Sequence, residues 1–576
     1  MTTALTPVAA PPAEAVPTAD RIADLERRLG NPLDPANPLG HAAVLAADER
    51  GELLAAGERM LADYGLGSEF VPTALGGRLD RADGLAHLMR AVFRRDCALG
   101  IGYGITSFIA ALPVWASGSA EQQRRVAGLL ASGGRIVAAY TELAHGSDFS
   151  RTTLSATPSA DGAGLVLDGG KQLVNNVSRA EAALLFARTD DRPGSRSQSH
   201  LLVDLTSLPP DRMRRDRRYP TSGVRGCLLG GVDFDRCPVP ADAVVGESGG
   251  ATETVLRAFQ VTRSVLPGMV VGVGDTQLRT VVGFARDRIL YGRPVAGLPH
   301  ARATLIASFL DLLVCDALAT VGARSLHLLP EETSIQSAAV KYLVPKLLQD
   351  SSYRLSVLLG ARSYLREGPY AIFQKAARDL PVVALAHAGS AVCLATIVPQ
   401  LPRMAERAWP DTTGEQPPEA LFRPGAALPP LDLGRLELNS RGRDSLTRLL
   451  SASYEDPRVD ALARMFADEL RDLGRRAAAL PPRDRTVIAG RRGFVLAERY
   501  TYLLAAAACL GTYRHGEGFT ADPAWVIGAL HRLAGRMGLR PGPLEREVTD
   551  RLAGEIDERF DHGLTYDLNR GRLTRP

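Results

Sequence analysis

Apolar residues recur at helical spacing from about residue 20 to 132, as in LAHLMRAVFRRDCAL, and Gly-rich or Pro-containing turns separate the segments. This pattern predicts a first helical domain over 20–134, behind a disordered lead of residues 1–19. From 135 to 250 the period shortens to alternating runs punctuated by Gly, Asp and Pro: RIVAAYTE, GLVLDGGKQLVNN, AALLFART, SHLLVDL and CLLGGVDFD. These runs predict a small antiparallel β-domain. Long helical patterns return over 251–407, including TRSVLPGMVVGVGDTQLRTVVGFARDRI and ARATLIASFLDLLVCDALATVGARSLHLL, and they suffice for a bundle. The stretch WPDTTGEQPPEALFRPGAALPPLDLG then breaks the pattern and predicts a Pro-rich surface linker over 408–440. Beyond it, 441–576 reads as a helical extension, with Asp522 and Pro523 as a helix start. Packing or oligomer contact is the expected role of this region, against substrate gating. The fold class is α+β, mainly α: an N-terminal helical domain, a middle antiparallel β-domain, a four-helix bundle and an extra helical C-terminal region.

Charge and composition narrow the partners. A net charge of +4 over 68 basic and 64 acidic residues leaves no basic block, so a nucleic-acid partner is not expected. Lysine is confined to Lys171, Lys341, Lys346 and Lys375 against a great excess of Arg, which suits a GC-rich genome. The cysteines, Cys97, Cys227, Cys237, Cys315, Cys393 and Cys509, form no CxxC pair and suit a reducing cytosol. The start of the chain lacks signal-peptide features, and no unbroken run of about 18 apolar residues occurs. A cytoplasmic protein without a membrane span is expected. Gly100, Gly102, Gly104, Gly272 and Gly274 fall within helical patterns, where close packing explains them better than a dinucleotide loop. The histidines show no metal-ligand spacing.

Four ordered motifs carry a resemblance over residues 20–405. AYTELAHGSD (139–148), LDGGKQLVNN (167–176), GVDFDRCPVPADAVVG (231–246) and RDRILYGRP (286–294) resemble signatures of the acyl-CoA dehydrogenase and oxidase family. That resemblance implies an acyl-CoA dehydrogenase-like fold, FAD, and a homo-oligomer with FAD near a subunit boundary. It puts Tyr140, Thr141, Gly146, Leu173 and Asn175 beside the flavin, and Ser147 near the acyl or pantetheine arm. Thr141 suits a fixed donor at the ring edge. Leu173 stands where the family stacks a Trp, and Asn175 where it keeps a hydroxyl. Arg288, with Tyr291, is the candidate for the FAD pyrophosphate, since a guanidinium binds phosphate bidentately. Gly389 or Ser390 would lie near the cofactor's phosphates. Gly360 is what remains of a Gln-x-x-Gly-Gly turn in VLLGARSYL (357–365), and Pro299 replaces a family glutamine.

The segment RDLPVVALAHAGSAV (378–392) has no Glu where most of the family keeps its catalytic base, and Thr262 precedes Arg263 where other relatives place theirs. Three readings of that vacancy stay open. His387 is a base, an imidazole suited to proton transfer near neutrality, or a hydrogen-bonded core residue of an apolar helix. The chain is a flavin-free structural homologue. Or the substrate is a β-keto acid whose decarboxylation forms the enolate directly, before dehydrogenation and oxygenation, as in the flavin-dependent decarboxylase-dehydrogenase-monooxygenases of epoxyketone pathways in bacterial secondary metabolism. That last chemistry asks for a cation to seat a carboxylate, with His387, Arg362 and Arg366 as candidates. The partner is a small carbonyl compound, either a β-keto acid or an acyl thioester.

Overall fold

The computed structural model describes residues 16–146, 148–192, 194–216, 218–386, 389–411 and 414–574. Its N-terminal helices are α1 (Thr18–Leu29), α2 (His41–Arg50), α3 (Ala55–Tyr64), α4 (Ala82–Arg95), α5 (Cys97–Leu99), α6 (Thr106–Ser117) and α7 (Ala120–Ala131). Ser119 and Gln122 cap α7 reciprocally, each side chain taking the other's backbone N–H. Between α5 and α6 the chain widens into a π-turn over Gly100–Ile105. The glycines there allow close approach: a Cβ on Gly100, Gly102 or Gly104 would strike the side chains of Phe93, Leu53 or Phe70.

The β-domain consists of β1 (Ile136–Ala139), β2 (Ser155–Pro158), β3 (Gly164–Asn175), β4 (Ala182–Arg188), β5 (Gln198–Asp204), β6 (Met213–Arg215), β7 (Leu229–Pro240) and β8 (Val244–Val245). One sheet runs β6-β7-β3-β2-β4-β5-β8, and β1 joins β4 in parallel. The domain is therefore mixed and not purely antiparallel, since β1 enters from the helical domain and must run alongside β4. Apolar side chains alternate onto a private core of Val137, Leu154, Leu185, Val203 and Phe234.

The bundle starts with α8 (Ala251–Asp287), which a short hairpin of β9 (Ile289–Leu290) and β10 (Arg293–Pro294) joins to α9 (Pro299–Leu328). Then come α10 (Thr333–Leu359), α11 (Ile372–Asp379), α12 (Val382–Leu385), α13 (Ser390–Ile397) and α14 (Leu401–Arg407). The Pro-rich stretch crosses the surface in extended and 3-10 segments, yet Leu421, Phe422, Leu433 and Leu436 are buried. The extension supplies α15 (Pro457–Ala478), α16 (Arg491–Arg514), α17 (Pro523–Arg536) and α18 (Arg546–His562). Its apolar faces merge with those of α9 and α10 in one continuous core.

Buried ion pairs lock these layers. Arg90 of α4 meets Asp316 of α9 and Asp567 of the C-terminal tail, and Arg324 of α9 meets Asp83. Four segments are long and apolar enough to cross a membrane, contrary to the expectation from unbroken runs, because scattered polar residues do not cancel their average hydropathy. The apolar windows of Cys97–Ser117, Pro299–Leu328 and Arg491–Arg514 are 94, 89 and 78% buried inside the protein, whereas that of Ile372–Arg407 is 31% buried.

Candidate functional site

Past β1 the chain stays extended through Tyr140, Thr141 and Glu142, and Gln172 N donates to Thr141 O at 2.9 Å. The register of β3 against β7 shifts between Lys171 and Val174, so Gln172 and Leu173 bulge from the ladder. Leu173 adopts φ 54° and turns its side chain outward, 37% exposed. At the end of β3, Asn175 Nδ2 donates to Ile101 O at 3.2 Å and Thr106 Oγ1 at 2.9 Å. Thr106 Oγ1 also donates to that Ile101 carbonyl, at 3.2 Å across the widened turn. Asn175 Oδ1 is buried without a partner.

Behind this strand Glu142 is a hub. Its carboxylate accepts from Lys171 Nζ at 2.8 Å, Thr153 N at 2.8 Å, Leu154 N at 3.2 Å and the hydroxyls of Thr152 and Thr153. Burial would raise this carboxyl, but Lys171 and the threonine donors together hold it down at about 2. Beneath the hub, Tyr140 packs against Phe186, His200 and Phe259 with ring centroids 6.1, 5.9 and 5.9 Å away. Neither ring nitrogen of His200 has a partner, and burial pushes its imidazole down to about 3, so it is neutral at ordinary pH.

The opposite wall comes from α8, α10 and the α12–α13 junction. Thr262 Oγ1 donates to Phe259 O at 3.2 Å, and the Arg263 guanidinium lies 5.9 Å from the Phe259 ring centroid. Lys341 of α10 reaches the same interior, where Arg263 and burial push its amine down to about 8, burial being the larger cause. Cys393 of α13 faces both cations, and burial nevertheless raises its thiol. α12 ends at Leu385 and α13 begins at Ser390, so an unbroken helix through this segment is not what the chain forms. Leu385 is 73% exposed, and Ser390 Oγ donates to Ala384 O at 3.4 Å. His387 and Ser147 lie outside the described residues.

The carboxylates of the two motif segments, Asp379 and Glu142, are already bonded. Asp379 accepts from Lys375 Nζ at 2.6 Å and Val224 N at 2.5 Å, and Glu142 is saturated as described.

Two residues proposed as carboxylate seats are engaged elsewhere. Arg362 stacks its guanidinium 5.6 and 5.5 Å from the rings of Phe284 and Tyr370, and Arg366 Nε donates to Glu49 Oε1 at 2.6 Å on the surface. Both follow the end of α10, which directs them toward the far end of α8 and toward α2. Arg263 and Lys341 are buried cations on α8 and α10 of this wall. Sequence reasoning named Arg263 only as the neighbour of a vacant base position and treated Lys341 as composition, although a lysine inside an apolar helical stretch was a usable signal.

Arg288 and Tyr291 lie on the exposed β9–β10 hairpin, where Tyr291 and Gly292 take φ 50° and 75°. Gly146 (φ 55°) and Gly360 (φ 63°) are exposed turns with open space where a Cβ would stand. Gly389 is extended and half-buried before α13.

Several of these features fit a flavin. Asn175 Oδ1 is unpartnered, Leu173 offers an exposed apolar side chain two residues away, and Arg288 has no acidic partner among the described residues. Cavities of about 680 and 620 Å³ elsewhere are lined by arginines already committed, Arg354, Arg532 and Arg536 to Asp311 and Arg94 to Glu26.

Comparison with known proteins agrees with this geometry. Residues 137–237 match the family "Acyl-CoA dehydrogenase, middle domain", and 251–398 match "Acyl-CoA dehydrogenase, C-terminal domain". The short-chain specific acyl-CoA dehydrogenase of Homo sapiens mitochondria is 26% identical over 321 residues, which are 55% of this chain and 75% of that protein. Among solved structures, an acyl-CoA dehydrogenase complexed with FAD from Bacillus anthracis superimposes with a TM-score of 0.73 at 15% identity and covers 94% of each chain. The prolyl acyl carrier protein oxidase AnaB gives a TM-score of 0.57 at 17% identity, over 65% of this chain and 95% of that one. Both structural likenesses are of fold. Motifs, sheet, bundle and matched segments together show acyl-CoA dehydrogenase middle and C-terminal domains at residues 137–237 and 251–398, within a flavin-dependent oxidoreductase that uses FAD.

Proposed function

We propose that this protein oxidises a β-keto acid by decarboxylation, dehydrogenation and oxygenation, giving an epoxyketone-type product in the cytoplasm of a bacterium, as part of secondary metabolism. What supports this reading is that the segment 378–392 contains no Glu, while Asp379 and Glu142 are both bound up in buried ion pairs. A base is dispensable if the substrate brings its own electron pair. Breaking the bond between the α-carbon and the carboxyl group leaves that pair on the α-carbon as an enolate, and carbon dioxide departs without any proton being removed. FAD, when bound, supplies the hydride acceptor and the reaction with dioxygen.

The chain's own residues then orient the substrate and keep water out. Thr141, half-buried beside the bulge, would donate to the flavin edge, and Leu173, exposed on that bulge, would lie against the ring. The aromatic group of Tyr140, Phe186 and Phe259 closes the cleft floor with apolar surface, which strengthens every charge interaction above it. Arg288, on its exposed hairpin, suits the cofactor's pyrophosphate.

The test is direct. Purified holoenzyme, yellow with flavin absorption, is given a β-keto acid in one arm and butyryl-CoA in the other while carbon dioxide and oxygen are followed. Carbon dioxide release with oxygen uptake in the first arm alone is expected. Ordinary conversion of butyryl-CoA to an enoyl product with an artificial electron acceptor would overturn the reading in favour of thioester dehydrogenation with His387 as base, and a colourless protein would point to a structural homologue.

A further inference from the structure

Among the described residues, most buried cations are answered by acids. Lys171 has Glu142, Lys375 has Asp96 and Asp379, Arg90 has Asp316 and Asp567, Arg324 has Asp83, and Arg559 has Glu555. Arg95, without an acid, is met by the carbonyls of Leu29, Gly30 and Leu39. Arg263 and Lys341 have neither. They are 3% and 1% exposed, and no acid or carbonyl bonds either of them among the described residues. Arg263 Nε is buried without a partner. The titratable groups acting on Lys341 are Arg263, which repels it, and Cys393, whose thiol burial pushes up and so keeps protonated.

A buried charge without a counter-ion costs free energy, and two of one sign in mutual reach cost more. The fold brings these two together from different helices, α8 and α10, and faces them toward α13. Cys393 is one turn beyond Ser390, and Arg263 is one turn beyond Phe259, which packs on Tyr140. The pair thus lies between the flavin-side strand and the α12–α13 junction.

We propose that Arg263 and Lys341 form a carboxylate seat in the cleft, and that the substrate's carboxylate is the counter-ion which the protein leaves out. The guanidinium takes one carboxylate oxygen and the ammonium the other. This rests on the β-keto acid reading and names the residues that would select it. Both are binding residues, so their loss falls on KM more than on kcat.

The experiment measures binding without turnover. Thermal melting of the FAD-loaded full chain at pH 7 is followed with 3-hydroxybutyrate, a carboxylate that has no labile bond, and in parallel with its methyl ester and with inorganic phosphate. The wild type is expected to melt several degrees higher with 3-hydroxybutyrate and to ignore the ester and phosphate. Lys341→Met and Arg263→Met should lose the shift, while Lys346→Met, altered at a half-exposed pair with Glu498, should keep it. Without ligand, Lys341→Met should melt no lower than the wild type, because it removes an uncompensated charge; this variant carries the test if Arg263→Met fails to fold.

Indifference of the wild type to 3-hydroxybutyrate overturns the proposal. So does a full shift in Lys341→Met, an equal dyad-dependent shift with phosphate, or a ligand-free Lys341→Met that melts well below the wild type. Dyad-dependent binding without carbon dioxide release from a β-keto acid would sink the decarboxylation reading and leave the seat standing.

Discussion

Glu142 shows how a motif residue can be legible while its task is not. The Thr-Glu pair marked the end of β1 in the sequence, but nothing in the pattern disclosed that the carboxylate would gather Lys171, two hydroxyls and two backbone amides. Those partners are distant in sequence, and burial makes them count. Glu142→Ala leaves Lys171 buried without an anion and is expected to cost roughly 3–5 kcal/mol of stability, measured by urea unfolding. The pH dependence has a definite sign. Because the folded carboxyl sits near 2, below its ordinary value of 4.5, its stabilisation is complete above 4.5 and disappears as pH falls toward 2; the variant should lack that component. Asp444 runs the other way. Burial pushes its carboxyl up to about 7, while Trp409 Nε1 donates to it at 2.8 Å. Folding then loses stability as pH rises from about 4 to 7, so Asp444→Asn, which can still accept from Trp409, should melt at an equal or higher temperature at pH 8 and show a flatter profile across that window.

At the scale of elements, periodicity and punctuation announced the helices and strands well, because a 3.6-residue or two-residue period survives any tertiary context. α8 and α10 even carry Pro267 and Pro345 inside them without losing their helical pattern. Two things were hidden. One was the parallel pairing of β1 with β4, which depends on where the helical domain delivers the chain. The other was the break between α12 and α13, where the apolar pattern runs on although the helix does not. The motif RDRILYGRP stood out in the sequence only as a string, and the exposure of the β9–β10 hairpin it forms gives it a test. Tyr291 is 84% exposed, and Arg288 projects from the same short hairpin without an acidic partner among the described residues. Arg288→Ala should weaken FAD retention about 10-fold, the scale of one charge-assisted phosphate contact, read from flavin absorbance after gel filtration, with little change in melting of the flavin-free protein.

Across the whole molecule, the C-terminal extension is bonded into the core and does not hang from it. Asp567, near the chain's end, accepts from Arg90 of α4 at 3.3 Å, and Tyr566 N donates to Asp275 of α8 at 3.1 Å. Asp567→Ala should therefore destabilise the first domain as well as the tail, by a few kcal/mol, and chemical unfolding should stay a single transition that shifts as a unit. The apolar hairpin residues Ile289, Leu290 and Tyr291 are exposed together, which favours a second copy covering them. Light scattering should show a homo-oligomer, and Leu290→Glu should shift it toward monomer. The order of domains and the family motifs could be read from residues in a line, because each depends on local period or on a short contiguous string. The pairing of Arg263 with Lys341, the diversion of Arg362 and Arg366, and the closure of the tail over α4 join residues tens to hundreds of positions apart. Such pairings have no signature along the chain: they arise when helices pack, water leaves, and each buried charge must find a partner or go without one.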